Sequence, residues 1–185
     1  IFYDKGVDEY VTAARQLRAE GLAARFAILG FLDVENRTAV SRKTMDAWVH
    51  EGVIVYLGSS EDVRPHIADA DCVVLPSYRE GTPRTLLEAA AMGRPLVATD
   101  VSGCRDVVED GVNGLLCRVK DADDLARALR EVLRMSPEDR QRMGAASRRK
   151  MERQFDEQLV IERYRAEIAT AVLSRTASSN PGRTA

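Results

Sequence analysis

Residues 25–30 (RFAILG), 53–58 (VIVYLG), 72–76 (CVVLP) and 95–100 (PLVATD) are short, almost wholly apolar runs separated by stretches of helical periodicity. This alternation constrains the fold more than any other feature. A strand that is apolar on both sides must be covered on both faces, and parallel sheets sandwiched between helices are built from such strands. The chain is therefore expected to be an α/β protein with a parallel sheet and helices on both faces. The intervening periodicities predict helices over residues 7–20, 41–51, 62–68, 121–134, 137–155 and 156–174. A short helical turn is expected at 104–108. A strand at 115–117 is expected to follow a turn marked by Asp110-Gly111 and Asn113-Gly114. Residues 175–185 (RTASSNPGRTA) are small and polar and read as a disordered tail. No internal repeat is visible.

In such sheets ligands bind at the carboxyl ends of the strands, where the strand-to-helix loops gather. Gly30, Gly58, residues 77–83 and residues 100–103 are expected on that edge. The loop after 72–76 stands out, because Glu80-Gly-Thr-Pro-Arg-Thr-Leu-Leu-Glu88 places two carboxylates around the start of a helix. Thr82 can cap that helix, and Pro83 suits its first position, having no N–H to lose. The run to Met92 favours helix, and Gly93 with Pro95 ends it. The free N–H groups of a first helical turn attract an anion. Two carboxylates that accept hydroxyls, with an anion site between them, suit a ligand with polyols at its ends and phosphate in its middle. A sugar nucleotide has that shape.

Composition excludes some classes. The 185 residues, 45% of them apolar, are enough for one domain with a real core. A formal net charge of −2 gives no reason to propose nucleic acid as a partner. No apolar run approaches the roughly 20 residues that span a bilayer. Cys72, Cys104 and Cys117 are an odd, widely spaced set, which points away from a metal site and a disulfide framework and toward a reducing cytoplasm. Cys104 near a helix start could carry a lowered pKa, but a small buried thiol is the simpler reading. Asp69-Ala-Asp71 and Asp121-Ala-Asp123 resemble a metal-binding pair. They read instead as a helix-to-strand joint and as a helix N-terminus, where acids are favoured. His50 and His66 are isolated. The arginine-rich segment 127–165 is interspersed with acids and reads first as a solvated helix face; its alternative is contact with an anionic membrane surface.

With these residues in place, the chain resembles the C-terminal half of a retaining family 4 glycosyltransferase of GT-B fold. The resemblance runs from Ile1 to about Leu173. It is carried by Asp4-Lys5-Gly6, Tyr56-Leu57-Gly58, Ala70-Asp71 before CVVLPS, the Glu80/Glu88 pair, GRPLVATD, and Gly103-Cys-Arg-Asp-Val-Val-Glu-Asp-Gly-Val-Asn-Gly114. The wording YDKGVDEY, YREGTPRTLLEA and DVSGCRDVVEDG is similar to the bacterial branch that builds lipopolysaccharide and capsule on a lipid carrier.

The resemblance implies a Rossmann-like nucleotide-sugar-binding domain over residues 1–174, partnered by an N-terminal acceptor domain outside this chain. It implies Glu80 and Lys5 as the catalytic pair, Glu80 toward the donor sugar and Lys5 on the pyrophosphate. It places Glu88 on the ribose hydroxyls, Gly81, Thr82 and Pro83 in the turn beside the sugar, and the amides of Thr85 and Leu86 on the distal phosphate. Gly58, Ser59 and Val63 would border the base. An arginine immediately upstream of Ile1 is expected in the natural gene. Pro83 stands where glycine is frequent in the family and removes one backbone donor. The implied donor is a UDP-sugar, with no metal or other cofactor, and the implied acceptor a lipid-linked glycan. The implied location is the cytoplasm, peripheral to the inner face of the plasma membrane. The isolated domain is expected to bind nucleotide without turnover. A non-catalytic sugar-nucleotide-binding module and a sugar-nucleotide epimerase of the same architecture are the alternatives. A glycan phosphorylase would need a pyridoxal-phosphate lysine, and none stands out among Lys5, Lys43, Lys120 and Lys150. A dehydrogenase is disfavoured by the lack of G-x-G-x-x-G after an early strand.

Overall fold

The computed structural model describes residues 1–32 and 34–178. After a short 3-10 turn at Tyr3–Lys5, the elements run α1 (Val7–Ala19), β1 (Ala27–Ile28), α2 (Arg42–His50), β2 (Val55–Tyr56), α3 (Arg64–Asp69), β3 (Val73–Leu75) and α4 (Arg84–Ala91). They continue with β4 (Leu96–Thr99), α5 (Ser102–Val107), β5 (Gly114–Cys117), α6 (Ala122–Arg134), α7 (Pro137–Gln154) and α8 (Glu157–Ser178).

All strand pairings between these elements are parallel, as the doubly apolar runs require. The strands form two ladders rather than one sheet: β1 with β2, and β3-β4-β5. Val73, Val74 and Leu75 stand opposite Leu96, Val97 and Ala98, and Val97 stands opposite Leu115. The first two strands are shorter than their apolar runs. Their flanks still carry backbone bonds, such as Val55 N–H to Phe26 O at 2.8 Å and Leu57 N–H to Ile28 O at 2.9 Å. Both ladders contribute to one core. Ile28 of β1 and Val97, Leu115 and Cys117 of the other ladder lie in a single cluster with the inner faces of α1, α2 and α6. A second cluster joins Leu86, Ala89 and Ala90 of α4 to Leu96, Ala98, Cys104 and Val107.

The helical periodicities land where they point. Leu125, Ala128, Leu129 and Val132 of α6 are buried, as are Val7, Val11, Ala14 and Leu17 of α1 and Met45 and Trp48 of α2. Ser41, Asp121 and Ser136 cap α2, α6 and α7 by accepting from Thr44, Asp124 and Asp139 N–H at 3.1, 2.8 and 3.1 Å. Asp121 is thus a helix cap, and Asp69 ends α3 before β3 begins. The Asp110–Asn113 turn is held by Asn113, which is buried. Its Oδ1 accepts from Glu109 N–H at 2.7 Å and its Nδ2 donates to Val107 O at 3.0 Å. Helix α8 continues past the expected end at Ser174 to Ser178, and the rest of the expected tail, 179–185, lies outside the described residues. Among the described residues no helix is long and apolar enough to cross a membrane.

Candidate functional site

The β3–α4 loop, residues 76–83, leaves the carboxyl end of a strand that is paired in parallel with β4. Its course is dictated by two other loops. Gly6, with φ of +70°, lets the turn at Asp4–Gly6 pass the end of β3 so closely that a Cβ there would stand 2.0 Å from Pro76 O. Tyr78 N–H then donates to Asp4 O at 2.9 Å. From the other side α5 presses in. A Cβ on Gly103 would stand 1.2 Å from Gly81 O and 2.7 Å from Glu80 O. Only a residue without a side chain lets α5 lie against the loop in this way. Thr99 Oγ1 at the end of β4 donates to Ser77 O inside the loop, and both residues are buried.

This packing brings Lys5 and Glu80 together. Lys5 Nζ donates to Glu80 Oε1 at 2.7 Å across 75 residues of sequence. The Lys5 side chain is 44% exposed and that of Glu80 13%, so the carboxylate sits in the floor and the ammonium faces outward. Glu88 lies one turn into α4, where Arg84 Nε donates to its Oε1 at 2.7 Å. Its side chain is one-third exposed, against 89% for Arg84. An exposed i,i+4 pair of this kind is worth a few tenths of a kcal/mol (~0.3–0.5) and gives way readily to a ligand.

The helix start differs from the expected one. Pro83, not Thr82, occupies the N-cap, with φ −73° and ψ 116°, and α4 begins at Arg84. No side chain caps it. The buried Pro83 ring packs down, and Pro83 O accepts from both Leu86 N–H at 3.0 Å and Leu87 N–H at 3.2 Å. Thr82 is left exposed beyond the first turn. The N–H groups of Arg84 and Thr85 therefore have no acceptor among the described residues, whereas that of Leu86 is engaged. Thr85 is exposed and Leu86 fully buried. Gly81 is exposed, with open space where a Cβ would stand.

Residues 58–63 follow β2 on the corresponding edge of the other ladder. Gly58 adopts φ +76° with open space beside it, and its carbonyl accepts from Gly30 N–H at 2.8 Å. Ser59 is exposed. Val63 precedes α3 and packs on the cluster that holds Leu86. No hydrogen bond or ion pair among the described residues ties this stretch to the Glu80 loop.

Three supporting features were not legible in the sequence. Gly103 is the first. The sequence put it on the binding edge and at the head of the 103–114 stretch, but not against Gly81 and Glu80. Tyr78 is the second: its hydroxyl donates to Glu9 Oε1 at 2.8 Å, while Lys120 Nζ lies 4.7 Å from its ring centre. Burial, then the Glu9 carboxylate, pushes the Tyr78 phenol up to about 12. The third is Glu9 Oε2, which is buried without a hydrogen-bond partner. Cys104 behaves as the simpler reading has it. It is buried, and desolvation followed by the nearby Glu80 charge pushes its thiol up to about 11. Among the described residues no group of three or more His, Cys, Asp or Glu side chains is arranged to hold a metal ion.

The loop thus gathers a carboxylate, a lysine held beside it, two amides without an acceptor among the described residues and a second carboxylate one turn into α4. Residues 1–135 match the family described as glycosyl transferases group 1. The chain is 31% identical over 163 residues to a Campylobacter jejuni N,N'-diacetylbacillosaminyl-diphospho-undecaprenol alpha-1,3-N-acetylgalactosaminyltransferase, with 88% of this chain and 40% of that protein covered. It is 35% identical over 164 residues to the putative colanic acid biosynthesis glycosyltransferase WcaL of Salmonella typhimurium, with 84% and 40% covered. The chain thus spans about 40% of the length of these relatives. Among solved structures, the pneumococcal O-GlcNAc transferase GtfA in complex with UDP and GlcNAc superposes with a TM-score of 0.72 at 23% identity, covering 92% of this chain and 34% of that one. Its fold is that of GT-B enzymes, and the chain belongs to the group 1 glycosyltransferases.

Proposed function

We propose that this chain is the donor-binding domain of a retaining, metal-independent glycosyltransferase. It takes a hexose or N-acetylhexosamine from a UDP-sugar and, with an N-terminal domain, delivers it to a lipid-linked glycan during surface-polysaccharide synthesis. The observation that carries this reading is the 2.7 Å Lys5–Glu80 pair placed before the uncapped start of α4. Breaking the bond to the anomeric carbon builds negative charge on the leaving diphosphate. A fixed ammonium and preorganised amides stabilise that charge where it develops. Lys5 supplies the ammonium, and Thr85 with Arg84 supplies the amides. Glu80 accepts from hydroxyls of the sugar, and Glu88 exchanges Arg84 for the ribose hydroxyls. The Leu86 amide, engaged with Pro83 O, reaches phosphate only if that bond opens. Gly58, Ser59 and Val63 border the base. The UDP complex of GtfA supports uridine, and the diphospho-undecaprenol acceptor named for the Campylobacter relative supports a lipid diphosphate acceptor.

Calorimetric titration with UDP, GDP and their sugars tests the reading, repeated on Glu88→Ala. UDP is expected to bind. Hydrogen bonds to a charged group contribute about 1.5–3 kcal/mol, so Glu88→Ala should weaken UDP roughly 10- to 150-fold. If no nucleotide binds, the donor-domain reading fails. If the variant keeps its UDP affinity, the ribose assignment fails.

A further inference from the structure

The Lys5–Glu80 pair does not hold its own geometry, because a partly exposed lysine–carboxylate bond contributes little. The backbone on either side of the pair has to do so, and one residue ties both sides together. Tyr78, two positions before Glu80, donates twice to the segment that carries Lys5. Its N–H donates to Asp4 O at 2.9 Å, just ahead of Lys5, and its hydroxyl donates to Glu9 Oε1 at 2.8 Å, in the first turn of α1. Lys5 and Gly6 lie between these two points. Helix α1 is seated in the core by Val11, Ala14 and Leu17, so Glu9 is a fixed anchor. With the backbone bond alone the loop would hinge about Asp4 O; the phenol bond removes that freedom.

The surroundings are built for this bond. The first turn of a helix favours an acid such as Glu9. Glu9 Oε2 is buried without a partner, so among the described residues the Tyr78 hydroxyl is the one side-chain donor to that carboxylate. Lys120 closes over the phenol, its Nζ 4.7 Å from the ring centre, where the ring attracts a cation. Lys120 is also the one non-glycine with positive φ among the described residues, at +58°. A side chain is kept in that conformation only where its surroundings over-determine it. Glu9, Pro76, Thr99, Cys117, Lys120 and Asp121 border a cavity with no room for a water molecule, so no water there replaces a lost phenol.

We propose that Tyr78 is a positioning residue of the donor site: bracketed to Asp4 and Glu9, it sets the geometry at which Glu80 meets the sugar and Lys5 meets the diphosphate. The inference rests on the donor-domain reading and deepens it. The Tyr78 hydroxyl is committed to Glu9 and its ring is covered by Lys120, so Tyr78 acts on the ligand through Glu80 and Lys5.

The 185-residue chain and its variants are titrated with UDP-N-acetylglucosamine and with UMP, followed by NMR. UMP lacks the second phosphate and the sugar, so it reports the folded pocket without the groups that Lys5 and Glu80 serve. Tyr78→Phe removes a single oxygen. It should weaken UDP-N-acetylglucosamine roughly tenfold or more, the low end of what a hydrogen bond to a charged group contributes, and leave UMP within about twofold. Glu9→Gln, whose amide oxygen still accepts from the phenol, should keep most of the affinity, whereas Glu9→Leu should match Tyr78→Phe. The double variant Tyr78→Phe/Glu9→Leu should bind no more weakly than either single one, because both remove the same bond. Tyr10→Phe removes another hydroxyl from the same region, one that donates to Ala27 O at 3.3 Å, and should change neither affinity. Melting temperatures check that each variant is folded during titration. Equal losses for UMP and the sugar nucleotide, unchanged sugar-nucleotide affinity in Tyr78→Phe, or no recovery in Glu9→Gln would each overturn the inference and leave the donor-domain reading standing. A parent chain that binds neither nucleotide would overturn both.

Discussion

Replacing Gly103 by alanine tests how the Glu80 loop is held. The added Cβ would begin 1.2 Å from Gly81 O and 2.7 Å from Glu80 O, whereas real Cβ atoms essentially never come within 3.0 Å of such a neighbour. Both obstacles are backbone atoms, so no side-chain rotation relieves them. Either α5 lifts off, exposing Cys104 and Val107 of the second core cluster, or the loop moves by nearly 2 Å and carries Glu80 away from Lys5. Overpacking of this kind costs about 1–3 kcal/mol, and a rigid obstacle places Gly103→Ala at the upper end. For a chain of this size about 3 kcal/mol corresponds to a fall in Tm of roughly 6–12 °C. Differential scanning fluorimetry reads that shift, and titration with a UDP-sugar reads the displacement of Glu80 as roughly a tenfold or greater loss of affinity. Gly81→Ala is the matched control, since its Cβ would meet nothing within 4 Å and its Tm should hardly move. A Gly103→Ala protein that melts within about 2 °C of the parent and keeps its affinity would refute the packing account of the site.

The three thiols should be inert in the folded chain. Burial pushes Cys72 and Cys117 up to about 12 and Cys104 up to about 11, so at pH 8 only on the order of one Cys104 in a thousand is thiolate. Rapid labelling by a disulfide reagent at pH 8 without denaturant would contradict this. Asp124 should contribute to acid sensitivity. Its bond from Arg127, then its bond from the Arg118 amide at 2.8 Å, holds its carboxyl below the ordinary value. A folded-state pKa below the unfolded one stabilises the fold above the unfolded value and is lost as pH falls through the folded one. Asp124→Asn should therefore melt lower than the parent at pH 7, and the gap should narrow by pH 3. A gap of constant size across that range would show that the charge plays no part.

Much of the site's identity was legible in the local wording of the chain, and its assembly was not. The run from Glu80 to Glu88 announces a loop entering a helix, and the burial of Leu86, Ala89 and Ala90 follows from its spacing. The cap was misplaced because Thr82 and Pro83 are both acceptable helix starts in isolation. Burial of the Pro83 ring decided between them, and that depends on what lies beneath it. The ladder of β1 and β2 is shorter than their apolar runs because the flanks Phe26 and Leu57 keep only single backbone bonds to the opposite strand, outside the Ala27–Ile28 and Val55–Tyr56 pairing.

What the sequence determined by itself is what depends on near neighbours along the chain. That covers the doubly apolar strands and hence a parallel α/β architecture, the inner faces of α1, α2 and α6, and the edge on which the acidic loop emerges. The tertiary structure alone decided what depends on distance in space. It brought Lys5 to Glu80 across 75 residues, pressed Gly103 onto Gly81, and gathered the arginines of α6 and α7 around the Gly111–Val112 turn. Backbone periodicity repeats within a few residues and can be read locally, whereas a contact between remote segments exists only once the core beneath them has set their relative positions.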